Sequence, residues 1–175
     1  MKPKTPLHQL SPRVHLERAH GYFELQMFKE AEIELRGIPE EMPWSKQKRV
    51  LLTFLHQEKK EWAQMREKAK SLRIKYPEEE DWWVSEAYAT RRANCLGEAR
   101  KVLLEGLALH YESALIRYNL ACYACLMGSH GECLDFLKEA IRRDQKFKEL
   151  ALNDEDLMEV RPALINMGWE KTKEW

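Results

Sequence analysis

Features that announce chemistry are scarce in this chain. Its seven glycines are scattered, so no Gly-rich loop can cradle a phosphate. No Gly-x-Ser-x-Gly elbow, Ser/His/Asp set or nucleic-acid module appears, and none of the six histidines falls at a metal-ligand spacing. Net charge is missing too: 29 basic residues balance 29 acidic ones, so no global field draws the protein to nucleic acid or to an anionic membrane. The longest apolar stretch, Tyr118 to Gly128, contains Asn119 and falls well short of the ~20 residues that span a bilayer. The opening MKPKTPLHQLSP has no apolar h-region of the kind a signal peptide needs. Four cysteines without a secretory signal point to free thiols in a reducing compartment, with the cytoplasm as the expected location. No sustained period-two alternation and no Asn-Gly hairpin is present, which argues against strands. No cofactor is expected, and none of these features assigns a resident metal.

What the chain does have is a ladder with 34-residue rungs. Ala31, Met65, Ala99 and Cys133 keep that step without insertion or deletion, as do Ala19, Thr53, Ala87 and Ala121. A third column reads Leu35, Ala69, Leu103, Leu137, and a fourth Phe28, Trp62, Leu96, His130. A fixed period of this size means one supersecondary unit repeated, whose copies stack to bury a core. At 175 residues a single domain is the simplest reading, burying roughly 70% of the unfolded surface without needing a disulfide or metal.

The apolar pattern predicts two helices per period. First helices are expected over about 13–26, 46–59, 82–93 and 114–127, second helices over about 28–37, 61–75, 96–109 and 130–143. Ser11-Pro12 reads as a helix start, with Ser at the cap and Pro at the first helical position. Asp81, Ser113 and Ser129 are expected caps, and Ser129 with Glu132 spells a capping box. Residues 1–12 form an N-terminal arm, and residues 13–145 hold four repeats of about 12–45, 46–79, 80–113 and 114–147. Residues 146–175 are a C-terminal cap. In that cap Leu150, Leu152, Leu157, Val160 and Leu164 can cover the last repeat, while Pro162 should interrupt or end the helix; Trp169 and Trp175 lie beyond it.

On these residues the chain resembles the tetratricopeptide repeats. Small residues fall where that family's paired helices cross: Ala19, Ala87 and Ala121 in the first helices, Ala31, Ala99 and Cys133 in the second. Glu30-Ala31, Glu98-Ala99, Pro43 and Pro77 also match the pattern. Thr53 and Met65 are larger than it prefers, which predicts a splayed or shifted second repeat, and Tyr111 and Gln145 replace the terminal proline. The residues after 145 look like the closing segment of bacterial arrays of this family. The resemblance implies an all-α fold, a right-handed α-solenoid of helix-turn-helix repeats. It also implies a concave groove lined by the first helices.

Carried over column by column, the lining would be Leu16, Val50, Val84 and Tyr118, then His20, Phe54, Tyr88 and Cys122, then Phe23, Gln57, Arg91 and Cys125. That is an apolar and aromatic trough with a basic spot at Arg91 and Arg92, built from residue types that dominate interface energetics. The implied function is non-catalytic: binding a protein or peptide with apolar anchors. Leu16, His20, Phe23, Val50, Phe54, Val84, Tyr88, Arg91 and Tyr118 are the contact residues. A carboxylate clamp does not fit, because the columns that would carry lysine and asparagine hold apolar residues and only Asn119 matches in type. Two rivals remain open at this point. One is a self-assembling homo-oligomer sealed through the groove or through Trp169 and Trp175. The other is a thiol or metal protein using Cys122, Cys125 and Cys133 with His130 nearby.

Overall fold

The computed structural model describes residues 10–40 and 43–169, so most of the arm, and Trp175, lie outside the described residues. The first-helix and second-helix pattern is borne out within about two residues at each end. The helices are α1 (Pro12–Glu24), α2 (Phe28–Arg36), α3 (Ser45–Glu58), α4 (Trp62–Lys75), α5 (Glu80–Arg92), α6 (Leu96–Leu109), α7 (Ala114–Leu126) and α8 (His130–Arg143). They pack as consecutive antiparallel pairs. After them come α9 (Lys146–Asn153), a 3₁₀ turn (Glu155–Leu157) and α10 (Arg161–Asn166). No strand occurs among the described residues.

The ladder is a burial ladder. Ala19, Thr53, Ala87 and Ala121 are each 0% exposed, and Ala31, Met65, Ala99 and Cys133 no more than 1%. Thr53 and Met65 are therefore enclosed at the helix crossing like the smaller residues in their columns. Thr53 donates its hydroxyl to the Arg49 carbonyl at 2.8 Å, which removes the cost of burying it. The fourth column breaks at its last rung: His130 is exposed and pairs with Glu159 at 2.8 Å instead of packing.

The 34-residue step also governs the backbone. Gln26, Lys60, Asn94 and Gly128 close the four first helices, and all four sit in the left-handed region, at φ 57°, 57°, 65° and 74°. Each is followed by the same cap. Met27, Glu61, Cys95 and Ser129 donate their N–H to the carbonyls of Tyr22, His56, Thr90 and Ala124, at 2.8–3.2 Å. This is the Schellman arrangement, which satisfies the last carbonyls of a helix and turns the chain back upon it.

Local caps follow the sequence in part. Ser113 accepts from the Ile116 N–H at 2.9 Å and Ser11 from the Val14 N–H, with Pro12 at the first position of α1. Ser129 makes no side-chain cap: its φ of −87° and ψ of 63° match those of Met27 and Glu61 at the same step of earlier repeats, and Glu132 is drawn to Arg100 on α6 at 2.6 Å. Asp81 lies inside the first turn of α5, one residue past the start, rather than at its cap. Pro162 opens α10 instead of ending a helix, since a proline is tolerated in the first turn.

The chain divides into two compact units, Met1–Pro77 and Glu78–Trp175. The N-terminal unit builds its core from Leu16, Ala19, Ala31, Leu35, Ile38, Leu51 and Leu55. It also buries a polar cluster: His15 and Glu34 meet at 2.7 Å, Glu34 pairs with Arg18 at 2.8 Å, and Lys48 reaches the Ile38 carbonyl and Glu40, both at 2.7 Å. In the C-terminal unit α5–α8 and the closing helices share one core. Gly106 lets Trp83 lie against α6, where a Cβ would come within 3.0 Å of the indole.

Candidate functional site

In the C-terminal unit the first-helix columns already hold a peptide segment, and it is the chain's own. Phe147 of α9 stacks on Tyr118 of α7, with centroids 4.8 Å apart and an interplanar angle of 24°. The Tyr118 hydroxyl donates to Asp154 at 2.7 Å. Arg91 of α5 grips Asp156 with both terminal nitrogens, the fork geometry that suits guanidinium and carboxylate, and lies over the Tyr123 ring at 5.6 Å. Between these polar anchors Leu157 is fully buried, as is Leu164, with Leu152 and Val160 nearly so. The turn is preset by Asp154, which accepts from the Asp156 N–H at 3.0 Å. Leu150 instead faces outward at 50% exposure, unlike the other leucines expected to seal the array. Trp169 packs back against this core.

Three thiols lie beneath that segment. Cys122 donates toward Asp154 at 3.7 Å, and one ligand atom each from Cys122, Asp154 and Asp156 lie within 4.8 Å of one another. That spacing suits a cation, and the guanidinium of Arg91 is the cation that sits there. Burial pushes the Cys122 thiol up, and the two aspartates add to the shift. Burial likewise raises Cys125, and pushes Cys133 up to about 12. All three fill core space as small hydrophobes. Cys95 is the exposed cysteine.

The N-terminal unit presents the same columns uncovered by any described segment of its own unit. On α1 and α3, Leu16 is buried, Phe23 and Val50 are half-buried, and His20 and Phe54 are exposed, Phe54 by 43%. Phe23 rests on Phe28 at 5.8 Å. His20, Val50, Lys46 and Gln47 line a depression of about 270 Å³. Lys46 itself lies 4.4 Å over the Tyr76 ring.

The nine candidate contact residues are thus split between units. Leu16, His20, Phe23, Val50 and Phe54 lie on α1 and α3; Val84, Tyr88, Arg91 and Tyr118 lie on α5 and α7. Val84 and Tyr88 are half-buried, and Asn119 donates back to the Leu115 carbonyl at 2.9 Å. The residues that sequence reasoning missed are Phe147, Asp154 and Asp156. An acidic turn downstream of a basic spot in an otherwise apolar trough was the signal for them.

No protein-family model matches the chain, and no curated protein matches its sequence. Solved structures do resemble it. MamA AMB-1 is 15% identical at a TM-score of 0.64, over 80% of this chain and 82% of that one. A thermophilic TPR protein of Thermus thermophilus is 14% identical at the same TM-score, over 91% of this chain and 86% of its own. No helix among the described residues is long and apolar enough to cross a membrane. With helix pairs, a gap-free 34-residue period and these neighbours, the fold is that of a tetratricopeptide-like helical-repeat protein, an α-solenoid of helix-turn-helix units.

Proposed function

We propose that this protein is a non-catalytic interaction module that takes a peptide or helix with apolar anchors on the α1/α3 face of its N-terminal unit. Leu16, His20, Phe23, Val50 and Phe54 would make the contacts. The observation that carries this reading is the seating of residues 147–157 on the equivalent columns of the C-terminal unit by stacking, a bidentate ion pair and leucine burial. Columns that bind a segment within the chain have the chemistry to bind one between chains.

Tethering favours the N-terminal face. The closing segment buries Phe147, Leu152, Leu157, Val160 and Leu164 while joined to the unit it covers, whereas a free peptide must also lose its translational and rotational freedom. A partner peptide is therefore not expected to displace the closing segment from Val84, Tyr88, Arg91 and Tyr118.

Selection of displayed random peptides on the full-length chain tests the reading. The wild type should enrich apolar-anchored sequences, Phe54→Asp should lose at least about tenfold of that enrichment, as for an interface hot spot, and Arg91→Met should keep it. Equal enrichment on wild type and Phe54→Asp would overturn the assignment.

A further inference from the structure

The zero net charge conceals a partition. Residues 1–77 hold 16 Lys and Arg against 10 Asp and Glu, while residues 78–175 hold 13 against 19. One unit stands at +6 and the other at −6. Opposed fields of this kind steer encounters between complementary patches and set which surfaces meet. Every molecule of this chain carries both signs.

Each unit also exposes apolar side chains. On the positive unit, Phe54 stands out of the α1/α3 face beside half-buried Val50 and Phe23, with His20, Lys46 and Arg49 on the same two helices or close to the depression. On the negative unit the closing segment has two sides. Phe147, Leu157 and Leu164 face the core, whereas Leu150, Met158 and Ile165 are 50%, 58% and 50% exposed. Glu149, Glu155 and Glu159 are exposed among them, Glu159 holding His130 at 2.8 Å. Lys146, also exposed on this segment, is held by Asp144 at 2.6 Å, so the outer side is apolar with an excess of carboxylates, the complement of an apolar and basic receiver.

We propose that the α1/α3 face of one molecule receives the outer side of the closing segment of a second copy of this chain, head to tail. The proposal rests on the reading of that face as a binding groove and adds its occupant. Because the two patches differ, the contact is heterologous: it uses the receiver of one molecule and the donor of the other and leaves one donor and one receiver open, so assembly grows as a chain or closes as a ring. Salt should weaken it, since the steering charges lie at the surface.

Light scattering on the full-length protein, at several concentrations and at low and high salt, tests this. The wild-type mass should rise with concentration and fall with added salt. Phe54→Asp damages the receiver and Met158→Lys the donor; both positions are exposed, and unchanged helical signal and melting would show each variant folded. Each variant alone should remain a monomer over a concentration range at least about tenfold above that at which the wild type assembles. Mixed together they should form dimers and nothing larger, because one intact donor and one intact receiver survive between them. A wild type that stays monomeric throughout, an association untouched by Phe54→Asp, or variants that fail to rescue each other would each overturn the proposal. If the wild type is monomeric while peptide selection still depends on Phe54, the groove assignment stands and only its occupant falls.

Discussion

Replacing Lys60 by glycine should make this protein more stable. Lys60 is exposed and holds φ 57° at the cap between α3 and α4. For an L-residue with a Cβ the left-handed region costs roughly 1–2 kcal/mol, and glycine enters it freely. Glycine also loosens the unfolded chain, which takes back about 0.4–1 kcal/mol. The net expectation is a gain of about 0.5–1 kcal/mol, or a rise of about 2–4 °C in Tm per kcal/mol for a chain of this length. Gln26→Gly, at the same φ of 57°, should behave alike. Asn94→Gly should gain less, because asparagine visits this region more readily. Gly128→Ala should run the other way and lose about 1 kcal/mol. Urea melts followed by helical circular dichroism give the four values on one scale. A Lys60→Gly variant that is neutral or less stable, together with a Gly128→Ala variant that melts like the wild type, would refute the argument from cap geometry.

Leu157→Ala removes a fully buried side chain from between α7 and the closing segment, and should destabilise by about 2–5 kcal/mol in the same assay. Ellman's reagent at mildly alkaline pH should titrate Cys95 quickly in the native protein, with Cys122, Cys125 and Cys133 reacting only after unfolding; three fast thiols would contradict their burial. Lys48 holds the Glu40 carboxyl below its ordinary value of 4.5, so the stability this pair contributes is complete above pH 4.5 and is lost as the pH falls through the lower folded value. Acid melts of the wild type should show that loss, and Glu40→Gln should reduce it.

The fold was legible because burial repeats with the chain. Ala31, Ala99 and Cys133 occupy equivalent enclosed sites, and even Thr53 and Met65, too large for the pattern, are accommodated: the threonine hydroxyl finds a backbone carbonyl and the flexible methionine fills its gap. The local features that misled were those where another element competes. Glu132 spells a capping box with Ser129, but Arg100 from the neighbouring helix takes the carboxylate. His130 occupies an aromatic column, yet at the last rung Glu159 offers a charged partner in solvent. The candidate site was readable as columns and not as contacts. Arg91 and Tyr118 lie on first helices, and the carboxylates they bond come from 36 to 65 residues further along. Pairing at that distance leaves no local period to detect. The charge partition was present in the composition throughout and vanished only because it was summed over the whole chain.

Those two separations bear on how the molecule is assembled from its unfolded state. Each helix pair closes over a short loop, a local event that a nascent chain completes early and fast. The bonds from Asp154 and Asp156 to Tyr118 and Arg91 instead require loops of 36 and 65 residues to close, and nothing holds those residues in place until α5 and α7 already stand side by side. Residues 146–164 are therefore expected to dock last, after an interval in which α7 shows an apolar flank to solvent. Pulse-labelled hydrogen exchange during refolding should find α5 to α8 protected before α9, and simultaneous protection would count against this order. If that order holds, the closing segment is the part of the sequence whose docking ends the chain's exposure to aggregation.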